Sequence, residues 1–329
     1  FPTRRSSDLA ASALTIGSGL GPLGRVAAQQ KLTQADILKF DPLGTVTILY
    51  VADNHAQLMP LYFREPSVNL GVGADKGLPP HLTDDAFRKY FNIAAGSADA
   101  YALTADDVVS LARNYGRMGG MDRVATLINA VRAERGEDKV LLLDGGDTWQ
   151  GSWTSLQTKA QDMIDVMSAL KLDAMVGHWE FTYGADRVKE VADKAPFAFL
   201  AQNVRDNEWQ EPVFEPRKMF EKGGVKVAVI GQALPRTAVA NPRWMFPKWE
   251  FGIREEDMQK QVDEARAEGA QIVVLLSHDG FDVDRKLASR VKGLDIILTA
   301  HTHDALPALD RRGPVYRPRF SLEREQGHP

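Results

Sequence analysis

The sequence predicts a layered α/β domain in which short apolar strands alternate with amphipathic helices. Six apolar runs, most of them rich in β-branched residues, predict strands at residues 45–52, 139–143, 197–201, 225–230, 271–276 and 294–299. Helical periodicity predicts intervening helices at residues 121–135, 161–170, 187–194, 255–268 and 284–291. Alternation of this kind is typical of domains in which helices cover β-sheets.

Length and composition narrow the class of protein. The chain has 329 residues, 44% of them hydrophobic, which is enough for one large globular domain or two smaller ones. Its net charge of −4 is small and no nucleic-acid-binding motif is present, so we expect no nucleic-acid partner. There is no cysteine, which excludes disulfides and thiolate metal sites.

Residues 1–28 have the composition of an export signal. Arg4 and Arg5 precede a stretch rich in Ala, Gly, Leu and Ser that ends in Val26-Ala27-Ala28, which suggests twin-arginine export to the periplasm. A disordered tail is the alternative. Asp8 and the lack of an initiator Met leave the true start of this segment open. Gly and Pro interrupt the stretch too often for a membrane span, and no other segment is a candidate.

Residues 57–115 interrupt the strand–helix alternation. Proline and glycine are frequent there and periodic segments are few, so the pattern predicts a long irregular insertion. It follows the first candidate site residues closely, which makes it a candidate wall of the active site. A surface insertion without a role in the site is the alternative.

Short polar motifs follow the apolar runs. They are Asp53-Asn54-His55, Gly145-Gly146-Asp147, Gly177-His178-Trp179-Glu180, Ser277-His278-Asp279 and His301-Thr302-His303. Functional residues of open α/β sheets gather beyond the carboxyl ends of the strands. One histidine beside an apolar run is usually a core or surface residue, but five, nearly all of them after a predicted strand, indicate a common site.

These motifs contain ligands for two metal ions. The candidates are Asp53, His55, Asp147, His178, His278, His301 and His303. Mixed imidazole and carboxylate ligands suit Mn, Fe or Zn better than Ca or Mg. Two ions that share one carboxylate lower the pKa of water and polarise a group under attack, which predicts a hydrolase for an anionic substrate.

The order and spacing of the motifs resemble the calcineurin-like metallophosphoesterases, in particular their 5′-nucleotidase branch. Two motifs depart from that family's pattern. Gly177-His178-Trp179-Glu180 stands where Gly-Asn-His-Glu is expected, and Ala300 replaces a glycine before His301. The first departure and residues 63–71, 145–152 and 181–184 together resemble the SoxB family of thiosulfohydrolases, over about residues 43–306.

The SoxB resemblance implies a fold and an activity. It implies β-sheets sandwiched by helices, with a dinuclear metal site at the carboxyl ends of the strands. The family's activity is that of a periplasmic di-manganese enzyme that releases sulfate from a cysteine S-thiosulfonate carried by the SoxYZ protein. The family also has a C-terminal domain, which we expect this chain to lack because the tail at residues 307–329 is too short to form one.

The resemblance also assigns roles to residues. It places one ion on Asp53, His55 and His303, places the other on His178, His278 and His301, and makes Asp147 the bridge. Mn²⁺ is the expected metal, with Zn²⁺ or Fe as alternatives. The predicted catalytic residues are Asp147, His178, Trp179 and Arg64.

Trp179 stands where the nucleotidase pattern has a histidine that assists an oxygen leaving group. Indole has no titratable proton at neutral pH, so Trp179 cannot protonate an alcohol leaving group, and such reactions should be slow. A persulfide-like leaving group has a low pKa and needs less help, so tryptophan here suits sulfur chemistry. A packing role alone is the alternative.

For other residues near the motifs, the sequence leaves a functional and a structural role open. Arg64 and Arg117 are candidate anion contacts or plain surface charges. Glu180 and Asp279 are candidates to orient imidazoles, or solvated surface residues. The last two candidates are Asn54, which we expect to form a turn, and Trp149, a candidate pocket wall or core residue.

Three functions therefore remain open from the sequence. The first is a thiosulfohydrolase, and the second is a 5′-nucleotidase-like phosphomonoesterase on the same scaffold. The third is an inactive fragment that only binds metal or SoxYZ.

Overall fold

The computed structural model of the chain describes residues 44–62, 71–304 and 306. Within them the strands are β1 (Thr47–Val51), β2 (Val140–Asp144), β3 (Ala174–Met175), β4 (Ala198–Phe199), β5 (Val204–Asp206), β6 (Arg217–Lys222), β7 (Val225–Gln232), β8 (Trp249–Phe251), β9 (Ile272–Ser277) and β10 (Ile296–Thr299). The α-helices are α1 (Asp84–Tyr90), α2 (Ala98–Leu103), α3 (Val108–Tyr115), α4 (Met121–Arg135), α5 (Trp153–Thr158), α6 (Gln161–Ala169), α7 (Ala185–Lys194), α8 (Thr237–Ala240), α9 (Glu255–Ala267) and α10 (Phe281–Arg290). Short 3-10 segments occupy Gly73–Asp75, Glu137–Lys139, Trp179–Tyr183 and Arg243–Met245.

The strands form two four-stranded sheets and one small ribbon. The first sheet has the order β1-β2-β3-β4, and all its strands are parallel. The second has the order β10-β9-β7-β6, in which only the edge strand β6 is antiparallel to its neighbour. β5 and β8 pair separately as an antiparallel ribbon.

The alternation of side chains along the strands builds the layers. In β2, Leu141 and Leu143 belong to a buried cluster that includes Val229 and Leu276 of the second sheet, so the sheets pack face to face. Leu142, between them in sequence, points to the opposite face and packs in a cluster with residues of α4, α6 and α7.

Helices cover the outer face of the second sheet in the same way. Met258 and Val262 of α9 and Leu287 of α10 pack against Ile230 and Leu275 of the sheet. The order of layers is therefore helix, sheet, sheet, helix, which confirms the predicted layered α/β fold with β-sheets sandwiched by helices.

Most predicted elements are present, with shifted ends. The strand predicted at residues 197–201 shrinks to Ala198–Phe199, and the helix predicted at residues 284–291 begins earlier, at Phe281. The sequence missed β6, whose run Arg-Lys-Met-Phe-Glu-Lys is mostly charged. An edge strand tolerates such residues because one of its sides is not covered by another strand.

The prediction of an irregular insertion at residues 57–115 is wrong for its second half, which forms α1, α2 and α3. A small core of Ala100, Tyr101 and Leu111 stabilises α2 and α3. The sequence obscured them because each helix is short and loops separate them.

The insertion contacts the main domain at two places, near its start and in the segment before α1. Leu61 pairs with Met118 as an isolated antiparallel bridge. Further along, Arg285 donates to Asp75 at 2.6 Å and His81 lies 3.1 Å from Asp282, so the insertion contacts α10 just after the loop that carries His278.

Several predicted segments lie outside the described residues. They are the export signal at residues 1–28, the tail at residues 307–329, and most of the motif at residues 63–71, including Arg64. Among the described helices, none is both long enough and apolar enough to span a bilayer.

Candidate metal centre

The motifs converge because they follow strands that end at one edge of the two stacked sheets. Asp53 follows β1, Asp147 follows β2 and His178 follows β3, which are neighbours in the first sheet. His278 follows β9, and His301 follows β10, its neighbour in the second sheet. Parallel strands end at the same edge, so ligands distant in sequence meet in space.

Two hydrogen bonds join the sheets at this edge. The backbone N–H of His301 donates to Asp53 Oδ1 at 3.1 Å. His278 Nδ1 lies 2.6 Å from the carbonyl oxygen of Gly145. The second contact requires glycine in the loop, since a Cβ on neighbouring Gly146, whose φ is +92°, would stand 3.0 Å from His278 Nδ1.

The seven candidate ligands lie in two groups. In each group, one potential ligand atom per residue lies within 4.8 Å of the others. The first group is Asp53, His55 and His303, and the second is Asp147, His178, His278 and His301.

Asp147 lies between the groups. Its Oδ2 is 3.0 Å from His178 Nδ1, 3.2 Å from His278 Nε2 and 3.9 Å from His55 Nε2. Its Oδ1 accepts the backbone N–H of Trp179 at 2.8 Å. This bond turns the carboxylate so that one oxygen faces imidazoles of both groups, which is the arrangement of a bridging ligand.

Backbone carbonyls orient two of the imidazoles. His278 Nδ1 lies against the carbonyl of Gly145, and His55 Nδ1 lies 3.2 Å from the carbonyl of Gln150. A carbonyl can only accept, so in each ring Nδ1 donates a proton, and Nε2 is the nitrogen that is left to bind a metal ion.

The backbone of the ligand loops is strained. Five of the seven candidates have left-handed φ values: Asp53 (51°), His55 (46°), Asp147 (54°), His301 (81°) and His303 (50°). Such conformations cost about 1–3 kcal/mol each, persist only where the surroundings impose them, and cluster at functional sites.

Negative charge accumulates beneath the site. The carboxylates buried around the site are Asp144, Asp147, Glu180, Asp279 and Asp284, and no Lys or Arg is buried among the residues that the structure describes. Burial raises the pKa of Asp144 and, together with nearby Asp284, that of Asp279. Charge of this kind must be neutralised by protons or by cations.

The pKa values of two imidazoles, His278 and His301, are shifted in opposite directions. Burial opposes both shifts at the Asp147–His278 pair, but their mutual contact prevails, raising the pKa of His278 to about 9 and holding that of Asp147 well below its usual range. Burial, followed by the charges of His278 and His178, lowers the pKa of His301 to about 4.

The donor set fits divalent cations. His55 Nε2 and His303 Nε2 lie 3.1 Å apart, and His178 Nδ1 and His278 Nε2 lie 3.2 Å apart. Bare lone pairs repel at such distances, so each pair needs a proton or a metal ion to share. The buried carboxylates and the nitrogen and oxygen ligands favour Mn, Fe or Zn.

Glu180 does not orient an imidazole, and it is not a surface residue. It is fully buried, and its two oxygens accept four backbone N–H groups. Oε2 accepts from Asp147 at 3.2 Å and from His178 at 2.8 Å, while Oε1 accepts from Thr148 at 2.8 Å and from Trp149 at 3.1 Å.

Asp279 also differs from expectation, whereas Trp149 takes the second of its two expected roles. Asp279 is buried and accepts from Gln232 Nε2 at 3.0 Å, while the imidazole of His278 uses the Gly145 carbonyl instead. Trp149 is fully buried and packs near Phe199, so it belongs to the core and does not form a pocket wall.

Trp179 lies at the mouth of the site. Its side chain is 39% exposed, and its ring centroid is 5.5 Å from that of His55 and 6.1 Å from that of His178. It is thus beside the candidate ligands rather than in the core.

Asn54 and Arg117 form local contacts. Asn54 Nδ2 donates to Thr148 Oγ1 at 3.1 Å and joins two of the ligand loops. Exposed Arg117 lies over the ring of Tyr62, 5.3 Å from its centroid. Arg64 lies outside the described residues.

Comparisons with known proteins agree with this geometry. The chain is 38% identical to the sulfate thiohydrolase SoxB of Thermus thermophilus, with a TM-score of 0.79 over 84% of this chain and 52% of that one. A 5′-nucleotidase precursor, also from Thermus thermophilus, is 26% identical, with a TM-score of 0.56 over 78% of this chain and 42% of that one. The snake venom 5′-nucleotidase of Naja atra is 32% identical over 198 residues, 57% of this chain.

The matches cover this chain more fully than they cover its relatives. The chain spans about half the length of the SoxB structure and 36% of the Naja atra enzyme. No protein-family model matches it. The fold, the ligand motifs and these similarities together identify the chain as a SoxB-like member of the 5′-nucleotidase/calcineurin-like metallophosphoesterase superfamily.

Proposed function

We propose that the chain is the catalytic part of a dinuclear metal hydrolase that releases sulfate from a cysteine S-thiosulfonate on the SoxYZ carrier. The observation that carries the proposal is the position of Asp147 Oδ2, within 4 Å of imidazoles from both ligand groups. The similarity to the SoxB structure supports the substrate class. We assign this function to a catalytic domain at residues 43–306.

Seven residues would hold the metals. Asp53, His55 and His303 would bind one ion, His178, His278 and His301 the other, and Asp147 would bridge them. Two divalent ions, with Mn²⁺ favoured and Zn²⁺ or Fe as alternatives, would supply Lewis acidity, a lowered pKa for water and net positive charge.

The rest of the chain holds these donors in place. The carbonyls of Gly145 and Gln150 fix two rings, and the N–H of Trp179 turns Asp147. Donors fixed in this way need little reorganisation during the reaction. Such preorganisation is the main source of electrostatic catalysis.

The proposed reaction balances without a redox partner. The oxygen of water forms a bond to the sulfonate sulfur, and the bond between that sulfur and its sulfur neighbour breaks. The leaving persulfide takes the electron pair, and the products are sulfate, a persulfide anion on the carrier and two protons from the water.

Trp179 favours this leaving group over an alcohol. Its indole N–H is a neutral donor and cannot supply a proton at neutral pH. Lack of a general acid costs about two to four orders of magnitude where an alkoxide must leave, and little where a low-pKa persulfide leaves. The half-exposed ring beside His55 is placed to contact the substrate.

A 5′-nucleotidase-like phosphomonoesterase is the second candidate. It is favoured by the 32% identity to the Naja atra 5′-nucleotidase and by the shared ligand motifs. An inactive fragment that only binds metal or SoxYZ is the third, and it stays open because the chain spans 52% of the SoxB structure that it matches.

Metal counting tests the ligand assignment. Asp147→Ala should lower the bound Mn²⁺ from about two ions per chain to less than one, because a bridging carboxylate serves both sites. His303→Ala should retain about one ion, since it belongs to one group only. Plasma emission after gel filtration measures the content, with His81→Ala, outside both groups, as the control. Two Mn²⁺ ions per chain in Asp147→Ala would contradict the assignment of Asp147 as the bridging ligand.

Paired kinetics test the substrate. One Mn-loaded preparation is assayed for sulfate release from a thiosulfonate-loaded SoxYZ carrier and for phosphate release from AMP. We expect sulfate release and negligible AMP hydrolysis, because Trp179 cannot protonate an alkoxide. Faster turnover of AMP would favour the nucleotidase, and turnover of neither substrate would favour the inactive fragment.

We also propose a periplasmic location, with twin-arginine export directed by residues 1–28. If this segment is a signal, the mature protein should begin near Gln29. N-terminal sequencing of protein from the periplasmic fraction checks this. The export proposal would be contradicted if residues 1–28 were intact on folded cytoplasmic protein and no protein were exported.

A further inference from the structure

We infer that Glu180 is a positioning residue that fixes the spacing between Asp147 and His178, and that it acts through backbone amides rather than through an imidazole. The inference rests on the proposed dinuclear centre. It extends that proposal by assigning the stability of one ion site to a side chain that binds neither ion.

The hydrogen bonds of Glu180 join two loops that are far apart in sequence. One loop supplies the amides of Asp147, Thr148 and Trp149, and the other supplies that of His178. Both loops carry a ligand of the same candidate site. The carboxylate therefore ties the bridging ligand to its neighbour with bonds of 2.8–3.2 Å.

Only a carboxylate of this length satisfies all four donors. It is an acceptor at both oxygens, with about four lone-pair positions. Glutamine has the same shape but carries an NH₂ at one end, which would face two N–H donors. Because Glu180 is fully buried, water does not replace the lost acceptor.

The contacts of Glu180 favour one ion site over the other. Its four partners include two ligands of the Asp147, His178, His278 and His301 group and no residue of the Asp53, His55 and His303 group. Asp147 also serves the second ion as the proposed bridge, whereas His178 serves the first ion alone. Loss of the carboxylate should therefore weaken the first site more than the second.

Glu180→Gln is the direct test. We expect about 10- to 100-fold weaker Mn²⁺ binding at one site, the range typical when a partner that orients metal ligands is lost. At low added Mn²⁺ the variant should show the six-line electron paramagnetic resonance spectrum of an isolated ion. The unaltered protein should show the spectrum of a coupled pair. Glu137→Gln, an exposed glutamate paired with Lys171, is the matched control and should keep the coupled spectrum.

The outcomes separate this inference from the proposed function. A Glu180→Gln protein with two ions and a coupled spectrum would overturn the positioning role while leaving the dinuclear centre standing. Equal weakening of both sites would also overturn it, because general destabilisation does not select one site. Absence of a coupled pair in the unaltered protein would overturn the dinuclear centre itself.

Glu180→Asp is the second test variant, to be used if Glu180→Gln does not fold. Aspartate keeps the charge but is one methylene shorter, so it reaches one loop and not both. We expect selective loss of one ion here too, and wild-type binding would contradict the need for a link between the loops.

Discussion

The neutralisation of buried negative charge is the constraint on which the rest of this structure depends. Five carboxylates are buried around the candidate metal centre, and the described part of the chain buries no lysine or arginine against them. Each carboxylate therefore depends on amides, hydroxyls, imidazoles or protons. Glu180 takes four amides, whereas Asp147 takes one amide and faces imidazoles. Cations at the imidazole cluster are the natural remaining source of compensation.

The packing of two sheets makes such a site possible. Leu141, Leu143, Val229 and Leu276 hold the sheets face to face and bring their strand ends to one edge. The loops beyond those ends then adopt left-handed φ values at five of the seven candidate ligands. A rigid apolar core can impose this strain, which a flexible scaffold would release by local rearrangement.

The sequence predicted the fold class and the two ligand groups because both have local signals. Strands such as β2 and β9 are continuous apolar runs, and His or Asp follows each of them closely. The resemblance to a known family then assigned each ligand to a group. In the structure the seven side chains lie in two groups of neighbours, and their roles as metal ligands stay a prediction.

What the sequence did not predict depends on contacts between distant residues. The partners of Glu180 are backbone amides, and those of His55 and His278 are backbone carbonyls, which every residue possesses and no motif marks. Asp279 and Trp149 were candidate site residues because of their position next to ligands, each with an alternative role that the sequence left open. Burial decides their actual roles, and burial is a property of the assembled layers. The short helices α2 and α3 were missed because their core forms only when they pack together.

Anomalous diffraction at the manganese edge, from crystals grown with Mn²⁺, would test the centre most directly. Two peaks a few ångströms apart, both within bonding distance of Asp147 Oδ2, are expected. One peak should contact Asp53, His55 and His303, and the other His178, His278 and His301. A single peak, or two peaks that do not share Asp147, would contradict the dinuclear centre.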